Sequence, residues 1–117
     1  MNIIFGEDQV GDLREKYTVL ELDTIRIGHG GVTDKAYCLI ETVPLNEMLT
    51  LERFKKLHYE LMENYRKQNW SFCTQALEHL MGAWGGEVDS FYVDLQNRIN
   101  QYQETPPGKD WDATVLR

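Results

Sequence analysis

The chain contains few cysteines and little positive charge, and each of these shortages argues against a class of protein. Its 117 residues include 2 Cys and 3 Pro, with 12 Lys and Arg against 19 Asp and Glu. The distant Cys38 and Cys73 do not resemble the disulfide framework of a small secreted domain, so we expect two buried, reduced thiols, with a disulfide between them as the alternative. The net charge of −7 argues against a nucleic-acid partner, which needs a basic face, and against docking on anionic lipid.

Long hydrophobic runs are missing too. No segment approaches the ~20 apolar residues of a membrane span, and "MNIIFGEDQ" lacks the basic start of a signal peptide. A cytoplasmic protein is therefore the default expectation. The 42% hydrophobic content, in a chain of one-domain length, predicts a single globular domain over residues 1–117.

Residues 1–44 predict mainly β-structure. "NIIF" is expected to be a short buried strand, and "EDQVGDLREKY" a short amphipathic helix. "TVLELDTIRI" and "KAYCLIETV" are rich in β-branched and apolar residues and predict an antiparallel hairpin, joined by a glycine-rich connection. One face of the first of these strands is expected to carry the odd-numbered residues Val19, Glu21, Asp23, Ile25 and Ile27.

Residues 45–104 have a helical period instead and predict three helices. Gly85 and Gly86 are expected to end the second helix, and two prolines end the third. Residues 105–117 form a tail in which Trp111 is expected to dock on the helices. Strands followed by helices indicate the α+β class. The three apolar stripes are Leu51, Phe54, Leu57, Leu61 and Tyr65, then Trp70, Cys73, Leu77, Leu80 and Trp84, then Tyr92, Leu95, Ile99 and Tyr102.

Three resemblances refine this description. "YRKQNWSFCTQAL" resembles the centre of a tetratricopeptide (TPR) hairpin, with Gln68 in place of the usual glycine in the turn, Trp70 opening the second helix and Cys73 as its small residue. The resemblance implies that the first two helices form a TPR-like hairpin. The predicted architecture is therefore a short N-terminal antiparallel sheet, with a short helix, packed on this hairpin plus a third helix. The whole chain, including "MNIIFGE" and "KYTVLELDT", resembles small uncharacterised proteins of marine cyanobacterial phages, which implies a phage source.

Residues from about 54 to 113 also resemble the tail that follows the catalytic domain in many bacterial class III adenylate cyclases. This resemblance implies a shared helical unit and no cyclase activity, because the N-terminal half is too short for the catalytic domain and no pair of metal-binding aspartates is assigned in it. The matching residues are Tyr65, Arg66, Trp70, Arg98, Pro106, Pro107, Asp110, Trp111 and Asp112.

One loop carries the candidate chemistry. Gly28, His29, Gly30 and Gly31 could present backbone N–H groups to a phosphate, with His29 as an acid or base. The loop lacks the Lys and Ser/Thr of a P-loop and precedes a strand, so a flexible hairpin loop is the alternative. The histidines have no His or Cys partner at metal-ligand spacing, and no nucleophile arrangement occurs. We predict no catalytic residue, no metal site and no cofactor.

Aromatic residues are the remaining signal. Trp84, Phe91 and Tyr92 flank a glycine turn, and we predict that they bind a protein partner, with core packing as the alternative. A lone helical hairpin leaves one apolar face exposed, and a two-stranded sheet is only marginally stable by itself. A second copy of the chain would cover both, which favours a homo-oligomer. The predicted function is that of a non-enzymatic protein-interaction or accessory protein. The alternative is a small-ligand or nucleotide-binding protein that uses the loop of residues 28–31.

Overall fold

The computed structural model describes residues 2–26, 33–40, 48–108, 111 and 113–116. Strands and helices both occur, as the sequence predicts for the α+β class. The elements in chain order are β1 (Asn2–Phe5), α1 (Glu7–Val10), α2 (Leu13–Lys16), β2 (Thr18–Arg26), β3 (Thr33–Ile40), α3 (Met48–Arg66), α4 (Trp70–Leu80), a 3-10 turn (Ala83–Gly86), α5 (Asp89–Glu104) and β4 (Thr114–Leu116).

The described strands form one sheet in the order β1-β3-β2-β4. Both β1 and β2 run antiparallel to β3, which confirms the predicted hairpin. β4 runs parallel to β2, pairing Thr24 with Thr114 and Arg26 with Leu116. The sequence predicts a tail for this last segment, so strand β4 is a difference between the prediction and the structure. Its three residues are too short to show an alternating pattern, and the partner strand lies at the other end of the chain.

The first strand forms as predicted, but the expectation that it is buried is wrong. Ile3 and Phe5 keep 48% and 46% of their surface exposed. β1 lies at one edge of the sheet and has β3 as its one partner among the described strands, so the helical layer covers it incompletely. An edge position depends on the order of the strands, which a local run of apolar residues does not reveal.

A β-bulge in β2 interrupts the alternation of side chains that the sequence predicts for this strand. The register with β3 shifts between Glu21 and Thr24. Leu20 and Leu22 are buried while Glu21 between them is partly exposed. Asp23, which lies with Leu22 in the shifted segment, is buried as well, and so is Ile25 after it. The extra residue of a bulge changes which face the following side chains occupy. The bulge therefore turns the carboxylate of Asp23 inward.

The core lies between the sheet and the layer made by α3, α4 and α5. The predicted helical stripes supply most of it, as Leu61, Leu77 and Ile99 illustrate. Both cysteines are free and buried, as expected, and Cys73 Sγ lies 3.7 Å from the Leu61 carbonyl oxygen, which accepts its weak hydrogen bond. None of the described helices has the length and apolarity needed to cross a bilayer.

The predicted helix after β1 is divided in two, because α1 ends at Val10 and α2 begins at Leu13. Its side chains tie this segment to the sheet. Arg14 forms an ion pair with Glu7, and the hydroxyl of Tyr37 donates to Glu7 Oε2 at 2.5 Å. These two hydrogen bonds, the one from Arg14 being the stronger influence, lower the pKa of Glu7 to about 2.

Trp111 docks on the helices, as predicted. Its ring centroid lies 5.2 Å from that of Tyr65, 5.6 Å from that of Trp70 and 5.3 Å from that of Tyr102. Such separations suit edge-to-face packing of aromatic rings. This aromatic cluster holds the chain just before β4 against α3, α4 and α5.

Candidate functional site

The aromatic residues predicted to contact a partner lie in the interior. Trp84, Phe91 and Tyr92 keep between 1% and 7% of their surface exposed. Trp84 lies inside the 3-10 turn with a φ of 59°, and this turn carries its ring inward. Burial removes the exposed patch that a contact role needs, so their position does not support that role, which stays a prediction.

A chain of hydrogen bonds connects Trp84 and Tyr92 to His58 and to the backbone of β2. Trp84 Nε1 donates to the Tyr92 hydroxyl at 3.1 Å, and that hydroxyl lies 2.9 Å from His58 Nδ1. His58 Nε2 lies 2.6 Å from the carbonyl oxygen of Glu21. A carbonyl only accepts, so we assign the His58 proton to Nε2, and Nδ1 accepts from Tyr92. Every polar group in this line, which we call the histidine relay, is satisfied.

Burial lowers the pKa of His58 to about 4, so the imidazole is neutral near pH 7. Both ring nitrogens are engaged within the protein, one with Tyr92 and one with the backbone of β2. An imidazole held in this way serves packing and leaves no nitrogen for a substrate. His58 is therefore a structural residue.

A groove opens between the β1 side of the sheet and the N-terminal part of α5. We call it the β1–α5 groove, and it encloses about 350 Å³. Phe91 is the one member of the predicted aromatic patch that lines it. The groove is mostly apolar, with a few polar groups at one side. Its lining residues are Ile3, Phe5, Leu22, Asp23, Ile25, Ala36, Ser90, Phe91 and Asp94.

The polar side of the groove is built on Arg98. Its guanidinium donates to both carboxylate oxygens of Asp23, at 3.0 and 2.9 Å, and to Asp94 Oδ2 at 2.8 Å. Burial, the largest single influence, lowers the pKa of Arg98, but the hydrogen bond to Asp23 and the charges of Asp23 and its neighbours together outweigh burial, so the pKa of Arg98 is raised. Two carboxylates and one guanidinium leave this side of the groove with one net negative charge.

The outer edge of β1 presents backbone N–H and C=O groups on the side away from β3. Gly6 N–H donates to the Lys35 carbonyl at 2.9 Å, and the pairing with β3 continues back along β1. Residues of an antiparallel strand alternate in direction, so Ile4 bonds toward β3 like Gly6. Ile3 and Phe5 consequently point their N–H and C=O groups outward. Among the described strands none pairs with this edge.

The predicted ligand loop, Gly28, His29, Gly30 and Gly31, lies outside the described residues, so its role stays a prediction. Within the part of the chain that the structure describes, no cluster of three or more His, Cys, Asp or Glu side chains is placed to hold a metal ion.

Apart from Phe91, the residues of the β1–α5 groove are not among the predicted site residues, although the sequence contains one signal for its polar side. Asp23 is a charged residue in the middle of an apolar strand, and Arg98 follows one turn of helix after the buried Leu95. Opposite charges in two apolar patterns indicate a buried pair. The exposure of Ile3 and Phe5 had no local signal, because it comes from the edge position of β1. No protein-family model, curated protein or solved structure matches this chain.

Proposed function

We propose that this chain is a non-enzymatic interaction protein and that its contact surface is the outer edge of β1 together with the β1–α5 groove. The observation that carries the proposal is the half-exposed pair Ile3 and Phe5, which stands beside outward backbone N–H and C=O groups. Apolar side chains next to an open strand edge favour the addition of an extended segment, because backbone bonds supply affinity and pockets supply selectivity.

The groove suits side chains of such a segment. A volume of about 350 Å³ accommodates one or two large apolar side chains at its walls, which include Leu22 and Phe91. Asp94 is more than half exposed at the polar side of the groove. A donor or a positive charge on the partner would meet this carboxylate, which gives the surface a preference for neutral or basic segments.

The helical layer is, in this proposal, the scaffold for the contact surface. We propose that α3 and α4 pack as a TPR-like hairpin. The connection spans only residues 67–69, its Gln68 has a φ of 61° where the TPR pattern has glycine, and Cys73 packs under the Leu61 carbonyl. The resemblance to cyanophage proteins makes infected cells the place to seek the partner.

Photo-crosslinking tests the contact surface. A photoreactive phenylalanine analogue at Phe5 should give adducts in cells that naturally produce the chain, because this ring is half exposed on the proposed surface. The same analogue at Met81, which is equally exposed at 45% but follows α4, is the matched control. An adduct at position 5 that is absent at position 81 supports the proposal. No adduct at position 5, or equal adducts at both positions, would refute it.

The loop of residues 28–31 remains the alternative site, for a small ligand or nucleotide. No observation on the described residues favours it. His29→Ala would abolish a ligand response if the loop carries the function, and would leave the photo-crosslinking at Phe5 unchanged under our proposal.

A further inference from the structure

We propose that a second copy of this chain occupies the outer edge of β1, paired antiparallel about a two-fold axis at Ile4. The inference rests on the proposed function, because it names the partner of the same surface. The result would be one continuous sheet through both copies, with the helical layers on the same side.

The direction of the backbone groups selects this register. Ile3 and Phe5 carry the outward N–H and C=O groups, and they stand symmetrically on either side of Ile4. An axis at Ile4 places Ile3 opposite Phe5 of the second copy. Each such pair exchanges two N–H···O bonds, so the two symmetric pairs form four. An axis at Ile3 or at Phe5 would leave fewer of these outward groups paired within the strands.

The faces of the sheet agree with the same register. Ile3 pairs with Cys38 and Phe5 pairs with Ala36, and both partners belong to the core between sheet and helices. Opposed residues in a sheet share one face, so Ile3 of one copy would pack against Phe5 of the other on the helical side. A shift by one residue would turn these apolar side chains to opposite faces.

Charge does not oppose the contact at this edge, although each chain carries a net charge of −7. The segment Asn2–Gly6 contains no charged residue, and the axis at Ile4 places Asn2 opposite a glycine. The next residue, Glu7, is neutralised by its ion pair with Arg14. Edge strands that avoid pairing usually carry lysine, proline or a bulge, and β1 has none of these. A neutral strand that is complementary to itself favours a second copy over a foreign strand.

The interface is small, which sets the expected affinity. Four strand residues from each copy and the flanking side chains bury less than the roughly 1,000 Å² of a stable complex. We therefore expect a dissociation constant in the micromolar range, about 10–100 µM. The dimer should appear as a concentration-dependent equilibrium rather than as a permanent assembly.

Light scattering on the full chain tests the association. Between about 1 and 500 µM the average mass should rise from 13.7 kDa toward twice that value. Phe5→Lys, a charge on the pairing edge, should hold the chain at the monomer mass, while Met81→Lys at an equally exposed position should leave the rise unchanged. A constant monomer mass for the unaltered chain would overturn the dimer, and so would equal effects of the two lysine variants.

Cysteine crosslinking tests the register without destabilising the strand edge. Ile4→Cys should form a disulfide-linked dimer, because residues on the axis form a non-hydrogen-bonded pair with Cα atoms about 4.5 Å apart. Ile3→Cys is the control, since position 3 would face position 5 and not its own copy. The natural Cys38 and Cys73 are buried and do not compete. Crosslinking of Ile3→Cys that equals or exceeds that of Ile4→Cys would overturn the register.

The photo-crosslinking at Phe5 separates failure of the dimer from failure of the proposed function. An adduct of twice the chain mass supports both. A monomer with an adduct of another mass overturns the dimer and supports an interaction with a different protein. A monomer without any adduct overturns both.

Discussion

Acidification should destabilise the protein through the buried His58. The imidazole is buried and neutral in the folded protein, with its pKa lowered to about 4 from an ordinary value of 6.5. At pH values between these two pKa values, His58 binds a proton in the unfolded chain but not in the folded protein. The free energy of unfolding therefore falls as the pH decreases through this window, and it is fully retained above the ordinary value.

The size of the effect follows from the two pKa values. The complete displacement is worth about 3 kcal/mol, since each pKa unit corresponds to about 1.4 kcal/mol. At about pH 5 His58 is still mostly neutral in the folded protein and mostly charged in the unfolded chain, so the loss should be about 2 kcal/mol. Glu7 has a pKa of about 2, and its contribution to stability is lost only below the ordinary carboxyl range.

Urea unfolding followed by tryptophan fluorescence measures this loss. With an m-value of about 1.5 kcal/mol per molar urea, the midpoint should decrease by about 1.3 M between about pH 7.5 and pH 5. His58→Gln keeps one donor and one acceptor but does not titrate, so its midpoint should change much less over the same range. If the variant loses as much stability as the unaltered chain, His58 is not the responsible group and the reasoning fails.

Three further predictions concern the buried ion pair, the helical turn and the thiols. Arg98→Met leaves the Asp23 carboxylate buried without its partner and should cost about 3–5 kcal/mol in urea unfolding, whereas adding Asp23→Leu should restore much of it; equal losses would contradict this. Gln68→Gly should add about 0.5–1 kcal/mol, measured as a higher melting temperature, because the φ of 61° strains a residue with a side chain; a lower melting temperature would contradict this. Cys38 and Cys73, whose pKa values burial raises to about 11 and 12, should react with a thiol reagent only after unfolding, and rapid labelling of the native protein would refute this.

The helical half could be derived from the sequence because its signals are local. Each of the three helices carries an apolar stripe with the period of a helix. Leu61, Cys73, Leu77 and Ile99 belong to these stripes, and each is buried as the period predicts. The docking of Trp111 was accessible for a related reason, since a large apolar ring on a short tail needs a surface to cover it.

The sheet required information that no local pattern contains. Whether "NIIF" is buried depends on its place in the strand order, and the inward turn of Asp23 depends on a bulge defined by the partner strand. The parallel pairing of β4 with β2 joins segments about 90 residues apart. Long-range pairing of this kind also determines the candidate contact surface, which is why Ile3 and Phe5 were absent from the predicted site.

The density of aromatic residues does not indicate that surface, for a different reason. Trp84 and Tyr92 lie near a glycine turn, which suggests a surface position. The three successive residues from Trp84 to Gly86 have left-handed φ angles, however, and both rings are buried. Of the three aromatic residues in the predicted patch, only Phe91 lines the groove. Enrichment of aromatic residues marks interfaces and cores alike, and burial alone distinguishes them.

The histidine relay has a consequence for how the two layers can pack. It passes from the 3-10 turn to α5, then to α3 and finally to the backbone of β2, and its donors point in one direction throughout. Apolar side chains alone tolerate many arrangements of similar energy. Moving α3 along its axis by one residue, about 1.5 Å, would separate His58 from both partners and leave buried polar atoms unpaired. The two hydrogen bonds of His58 therefore favour one position of α3 along its axis, relative to α5 and β2, over the positions next to it.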